Sequence, residues 1–139
     1  MMDADTRRQL AKFIAAGVLA TLVDFGTYFL LLYTVFDGRY DASKAVAYVL
    51  GTTVAYLLAK FWTFPDRTPA SGETARFLAL YALAAVVNVT VNRGALWVTL
   101  GLGLDQQLAE LGSVVSATGC SMILNFVGQK FWVFRDAPA

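Results

Sequence analysis

The chain has 139 residues, 58 % hydrophobic and 15 % charged, with a net charge of +1 and a mean hydropathy of +0.57. A soluble domain of this size carries about 25 % charged residues, so there is too little polar surface to cover a water-soluble globule. One cysteine, Cys120, excludes an intrachain disulfide, and the lack of histidine removes the commonest general base and metal ligand. With no Walker loop, dinucleotide fingerprint or Cys-x-x-Cys pair either, the expectation is a protein that is not an enzyme, takes no cofactor or metal, and has no nucleic acid among its partners.

Four apolar runs stand out, at residues 13–36, 43–64, 77–100 and 111–134, each 22 to 24 residues long. A helix needs about 20 to cross the hydrocarbon core, so four membrane spans are predicted. The first run follows Thr6-Arg7-Arg8-Gln9-Leu10, which resembles a twin-arginine signal. A signal's apolar core has only about 7–15 residues, and this one continues past Asp24, so a retained helix is expected. Asp24 sits roughly 16 Å into that helix at 1.5 Å per residue, where an ionisable group costs at least ~2.5–3.5 kcal/mol. It must be paired, hydrated or protonated there, and such residues are functional candidates by default.

The second run closes on Lys60-Phe61-Trp62-Thr63-Phe64, and the fourth on Lys130-Phe131-Trp132-Val133-Phe134, 70 residues later. Trp62 and Trp132 suit interfacial anchors, and Lys60 and Lys130 can snorkel beside them. The third run opens within Ala75-Arg76-Phe77-Leu78-Ala79, which matches Ala11-Lys12-Phe13-Ile14-Ala15 at an offset of 64 and sets Asn88 against Asp24. Arg93 lies in its outer half, as a partner for Asp24, a snorkelling residue or a ligand contact. The chain therefore reads as one domain, residues 1–139, an all-α membrane four-helix bundle built from two copies of one hairpin. The copies are inserted the same way up, and a pseudo-two-fold axis along the membrane normal is expected. The six extra residues of the second copy fall in the loop "GLGLDQQLAELG".

At i, i+4 spacing the small and polar residues of each helix share one face. These faces are Ala16, Ala20, Asp24, Tyr28; Ala47, Gly51, Ala55, Ala59; Leu80, Ala84, Asn88, Asn92; and Ala117, Ser121, Asn125, Gln129. Small residues let membrane helices approach closely, which explains Ala, Gly and Ser but not an aspartate. Eight of the eleven Lys and Arg residues flank the ends that share the two termini, while the other two loops hold only Arg39 and Lys44. Cytoplasmic N and C termini follow.

These residues resemble the GtrA-like family of small four-span bacterial membrane proteins over residues 9–136. The likeness is carried by "KFIAAGVLATLVDFG", "KFWTF", "ARFLALYALAAVVN" and "NFVGQKFWVF", in that order and at matching places. It implies a bacterial cytoplasmic (inner) membrane protein that moves polyprenyl-phosphate-linked sugars for O-antigen glucosylation or cell-wall decoration. A lipid bilayer, the lipid-linked sugar and a membrane glycosyltransferase are then its partners, and so thin a bundle is compatible with a homodimer. Lys60 and Lys130 would capture the phosphate, Asp24, Asn88 and Asn125 would meet the sugar, and Asn92 and Arg93 would receive the phosphate in the outer half. Ala55 and Ala59 depart from the family, which often has asparagines there; Asn125 and Gln129 keep that polar pattern in the second hairpin alone. Two other classes stay open: a non-transporting anchor that recruits a glycosyltransferase, and a small exporter of cationic drugs, against which the Lys/Arg asymmetry counts.

Overall fold

The computed structural model describes residues 2–37 and 39–136, and these form helices and loops without a strand. Helix α1 spans Ala4–Thr34 and α2 spans Tyr40–Leu58, running on into a π-helical turn at Ala59–Thr63. Helix α3 spans Glu73–Gly101, and α4 spans Gln106–Gly128 before a second π-helical turn at Gln129–Val133. The chain divides into two compact units, Met1–Arg67 and Thr68–Ala139, each a helical hairpin. The four apolar stretches have 31, 22, 29 and 28 residues. At 1.5 Å per residue they measure about 33 to 47 Å, enough to cross a hydrocarbon core of about 30 Å.

The helices run beyond the apolar runs. Asp3 caps α1 by accepting a 2.7 Å hydrogen bond from the Thr6 amide, so the helix begins more than two turns before the first apolar run. Much of "GLGLDQQLAELG" is also helical, because α4 starts at Gln106, where Gln106 Nε2 donates to Glu110 Oε1 at 2.8 Å. Leu, Ala, Gln and Glu are good helix formers, and an i, i+4 polar pair supports the first turn.

In each hairpin the core is the seam of small and polar residues. Ala16, Ala20, Ala47 and Ala59 are buried in the first, and Leu80, Ala84, Ala117 and Gln129 in the second. Gly51 marks the closest approach of α1 and α2: a Cβ there would lie 2.9 Å from Asp24 Cβ and 3.2 Å from the Ala20 carbonyl oxygen. In the second hairpin Ser121 takes this place, and its hydroxyl donates to the Ala84 carbonyl at 3.2 Å. The equivalent carbonyl is thus met by a bare glycine in one copy and by a hydroxyl in the other. Ser43 and Ser113 repeat as well, both buried and both donating to a carbonyl of the preceding turn, Arg39 and Glu110 respectively.

The repeated phrase adopts the same unusual backbone twice. Phe64 N donates to Ala59 O at 2.9 Å and Phe134 N to Gln129 O at 2.8 Å, the i→i+5 bonds of a π turn. The wider turn buries Thr63 and Phe64, or Val133 and Phe134, while Phe61 and Phe131 point outward at 67 % and 68 % exposure. A helix end leaves carbonyls without partners, which is costly in an apolar medium. Here the other repeated phrase supplies a donor: Lys12 Nζ reaches Trp62 O at 3.0 Å, and Arg76 Nη2 reaches Val133 O at 3.0 Å. Lys12 also lies 5.9 Å from the Trp62 ring centroid. Arg76 adds a 2.6 Å bond to Ser71 O, so it ties the start of α3 to the end of the second π turn. Replacing Arg76 by Gln should lower the thermal stability of the detergent-solubilised protein by about 2 kcal/mol, since two charge-assisted bonds go. Lys12→Gln, which loses one such bond at an exposed position, should cost less. Equal melting curves for Arg76→Gln and the parent would show that the clip does not hold the helix end.

Candidate functional site

In the first hairpin the polar centre is an ion pair. Asp24, near the middle of α1, accepts hydrogen bonds from Lys44 Nζ on both carboxylate oxygens, at 3.1 Å (Oδ1) and 3.0 Å (Oδ2). Gly51 explains the position of the carboxylate: with no side chain on α2 at that level, Asp24 packs directly against the neighbouring backbone. The ammonium lies 5.6 Å from the Phe25 ring centroid and 5.7 Å from that of Tyr28, within cation–π range. Lys60 stands near the other end of the hairpin, about 24 Å along α2 from Lys44 by the helical rise, with its ammonium 5.7 Å from the ring centroids of both Tyr56 and Phe61.

In the second hairpin the polar centre is neutral. Asn88, at the place of Asp24, is half-buried, as are Asn92 and Asn125, whereas Gln129 is only 1 % exposed. The carbonyl oxygens of Asn92, Asn125 and Gln129 are buried and accept a hydrogen bond from none of the described residues. An unsatisfied buried acceptor costs about 1–3 kcal/mol, so three along one seam need an explanation. The register comes from Ser121 beside Ala84 and Gly128 beside Leu80. Asn125 therefore lies between the levels of Leu80 and Ala84, and Asn88 sits roughly 6–10 Å further along. The amides form a file along the hairpin rather than one cluster. Lys130 is half-buried at the end of that file, 5.6 Å from the Phe131 ring centroid. Arg93 is exposed on α3. Trp62 and Trp132, beside the two lysines, are partly exposed.

The sequence offered Arg93 as one possible partner of Asp24, beside snorkelling and a ligand contact; the partner in the structure is Lys44. Lys44 was read as a charge of the outer loop; because α2 begins at Tyr40, it is a residue of the helix. Its side chain is long enough to reach down the seam. Pairing α1 with α2 through a short connection would have brought Lys44 within reach of Asp24.

Four helices of spanning length, with charged and amide groups along the packing seam of each hairpin, define a multi-pass membrane protein. The chain belongs to the GtrA/DPMS transmembrane-domain family, whose profile matches residues 12–134. It is 32 % identical over 131 residues to an uncharacterized membrane protein, YngA, of Bacillus subtilis (strain 168), covering 94 % of this chain and 82 % of that protein. A second membrane protein of that strain, YwcD, is 21 % identical over 124 residues, 88 % of this chain and 94 % of the relative. A bactoprenol-linked glucose translocase of Shigella phage SfX is 27 % identical over 128 residues, 91 % of this chain and 95 % of the relative. No solved structure gives a significant match.

Proposed function

We propose that the protein is a translocase for polyprenyl-phosphate-linked monosaccharides in the bacterial cytoplasmic membrane, supplying cell-surface polysaccharide or O-antigen glycosylation. Membership of the family and the phage relative named as a bactoprenol-linked glucose translocase support the class. The observation that carries the reading is the polar seam of each hairpin, an ion pair in the first and a file of amides in the second, with a lysine-bearing π turn at one end.

Such a lipid carries two groups that hydrocarbon excludes, an anionic phosphate and a sugar rich in hydroxyls. With both termini in the cytoplasm, Lys60 and Lys130 lie at the cytoplasmic face, where they capture the phosphate by charge-assisted hydrogen bonds. Trp62 and Trp132 anchor that face in the headgroup region. Sugar hydroxyls are donors, and the buried oxygens of Asn92, Asn125 and Gln129 are acceptors with capacity to spare. Asp24 and Asn88 offer further partners at mid-depth, while Asn92 and Arg93 serve the outer half. The isoprenoid stays in lipid throughout. Net flow is set by supply and consumption of the lipid-linked sugar, with a glycosyltransferase producing it on the cytoplasmic side.

The test is reconstitution in liposomes containing a polyprenyl-phosphate hexose, with arrival of the lipid in the opposite leaflet as the readout. The protein should accelerate exchange, and Lys60→Gln/Lys130→Gln should slow it by at least about tenfold, the equivalent of 1.4 kcal/mol in the barrier. No acceleration for any of several sugars by folded protein would overturn the translocase. It would favour a glycosyltransferase anchor, for which the outward Phe61 and Phe131 offer a docking surface.

A further inference from the structure

The two hairpins serve as each other's control. Where the first has Asp24 and Lys44, the second has Asn88 and Val114, at the same offsets of 64 and 70 that relate the rest of the repeat. The second hairpin nevertheless packs through the same seam, with Leu80, Ala84 and Ala117 buried. A hairpin of this design therefore folds without the ion pair. A partly buried pair is a weak source of stability in any case, and replacing one by an uncharged pair is often neutral or better. Its presence in one copy calls for another explanation.

The two partners differ in freedom. The Asp24 side chain is 20 % exposed and backed by Gly51, so the carboxylate has little room to move. The Lys44 side chain is 49 % exposed, on a flexible four-carbon stem. Its ammonium holds two oxygens of one anionic group, the arrangement a phosphate would offer, and the rings of Phe25 and Tyr28 flank it. Lys44 lies about 6 Å inside the end of α2 opposite to Lys60.

We propose that Lys44 is the phosphate-receiving cation of the first hairpin, and that Asp24 is an internal anion which occupies it between substrates. An arriving lipid phosphate displaces the Asp24 carboxylate from the ammonium. The freed carboxylate then accepts a hydrogen bond from a sugar hydroxyl, and its return to Lys44 expels the lipid. This inference rests on the translocase reading and deepens it, by adding a second phosphate station at the far end of the hairpin from Lys60. The lipid would pass between two lysines, and the second of them is reset by the protein's own aspartate.

The experiment measures binding to the full-length protein in detergent micelles, with a polyprenyl monophosphate as probe and the neutral polyprenol of equal length as control. Asp24→Asn removes the competitor and should tighten polyprenyl phosphate binding about tenfold. Lys44→Met should weaken it about tenfold. Asp24→Asn/Lys44→Val, which copies the second hairpin, should melt like the parent and bind as weakly as Lys44→Met. Polyprenol binding should be unchanged in all three. Unchanged phosphate affinity in Asp24→Asn and in the double variant would overturn the proposal. Inorganic phosphate that binds through Lys44 and displaces the lipid would overturn the lipid assignment in favour of the free anion, whereas failure to compete supports the lipid headgroup. The two levels of the argument separate in the liposome assay. Intact flipping by the double variant overturns the Lys44 station and leaves the translocase standing. Polyprenyl phosphate binding through Lys44 without flipping overturns the translocase and leaves the site standing.

Discussion

Replacing Gly51 by leucine should disrupt the first hairpin more than any other single change on its seam, with a loss of about 3 kcal/mol in thermal or steric-trap unfolding. Even the first added atom has nowhere to go. A Cβ would lie 2.9 Å from Asp24 Cβ and 3.2 Å from the Ala20 carbonyl oxygen, both close to or part of the facing backbone. Backbone cannot turn aside as a side-chain tip can, so α1 and α2 must part along the whole contact. Packing is the main force between helices in lipid, and separation forfeits it directly. Gly51→Ala should show the same effect at about 1–2 kcal/mol. Gly17, on α1, is the control, because a Cβ there meets nothing within 4 Å, and Gly17→Leu should leave unfolding unchanged. The functional consequence is specific as well. Gly51 sets the depth at which Asp24 seats, so Gly51→Ala should impair flipping more than its modest stability loss explains. Equal melting of Gly51→Leu and Gly17→Leu would show that the close approach is not structural.

The second large effect is an exchange of volume across the second hairpin. Leu80 is 2 % exposed and fills the space over Gly128, where a Cβ would run into both Leu80 methyl carbons, Cδ1 and Cδ2. In the first hairpin the repeat-equivalent positions carry Ala16 and Leu58, so the large residue stands on the other helix. The total volume is similar in both copies, but its owner has changed. Leu80→Ala should therefore open a cavity and cost about 2–4 kcal/mol. Gly128→Leu should overpack the same place and cost about 3 kcal/mol. The combination Leu80→Ala/Gly128→Leu rebuilds the arrangement of the first copy, and should return to within about 1 kcal/mol of the parent. That would be a coupling well outside the additivity expected of independent sites. Strictly additive losses would mean that the two hairpins do not pack by interchangeable rules.

The repeat was legible because it is written in residue identities. "AKF" and "ARF", and the two copies of "KFW", lie at offsets that need no coordinates to find. What they do to one another was not legible. That Lys12 and Arg76 donate to carbonyls at the ends of the two π turns depends on the antiparallel register, which brings residues 50 or more apart in the chain together. The π turn itself has no simple sequence period, since an i→i+5 bond differs from the α-helical one by a single residue. The seam was readable for a different reason: small residues at i, i+4 spacing are how helices in lipid approach closely, and the residues so marked include the buried Ala16, Ala20, Ala47, Ala84 and Ala117.

By itself, then, the sequence determined four spans, their pairing into two alike hairpins and the face each helix turns inward, because hydrocarbon demands long apolar runs and close packing demands small residues on one side. Only the tertiary structure decided which charges meet. The sequence placed Asp24 deep in an apolar run, where it must be paired, hydrated or protonated, and offered Arg93 as one possible partner while Lys44 read as a loop charge. The choice of Lys44 depends on where α2 begins and on how closely Gly51 lets it approach α1, and both are properties of two helices packed together.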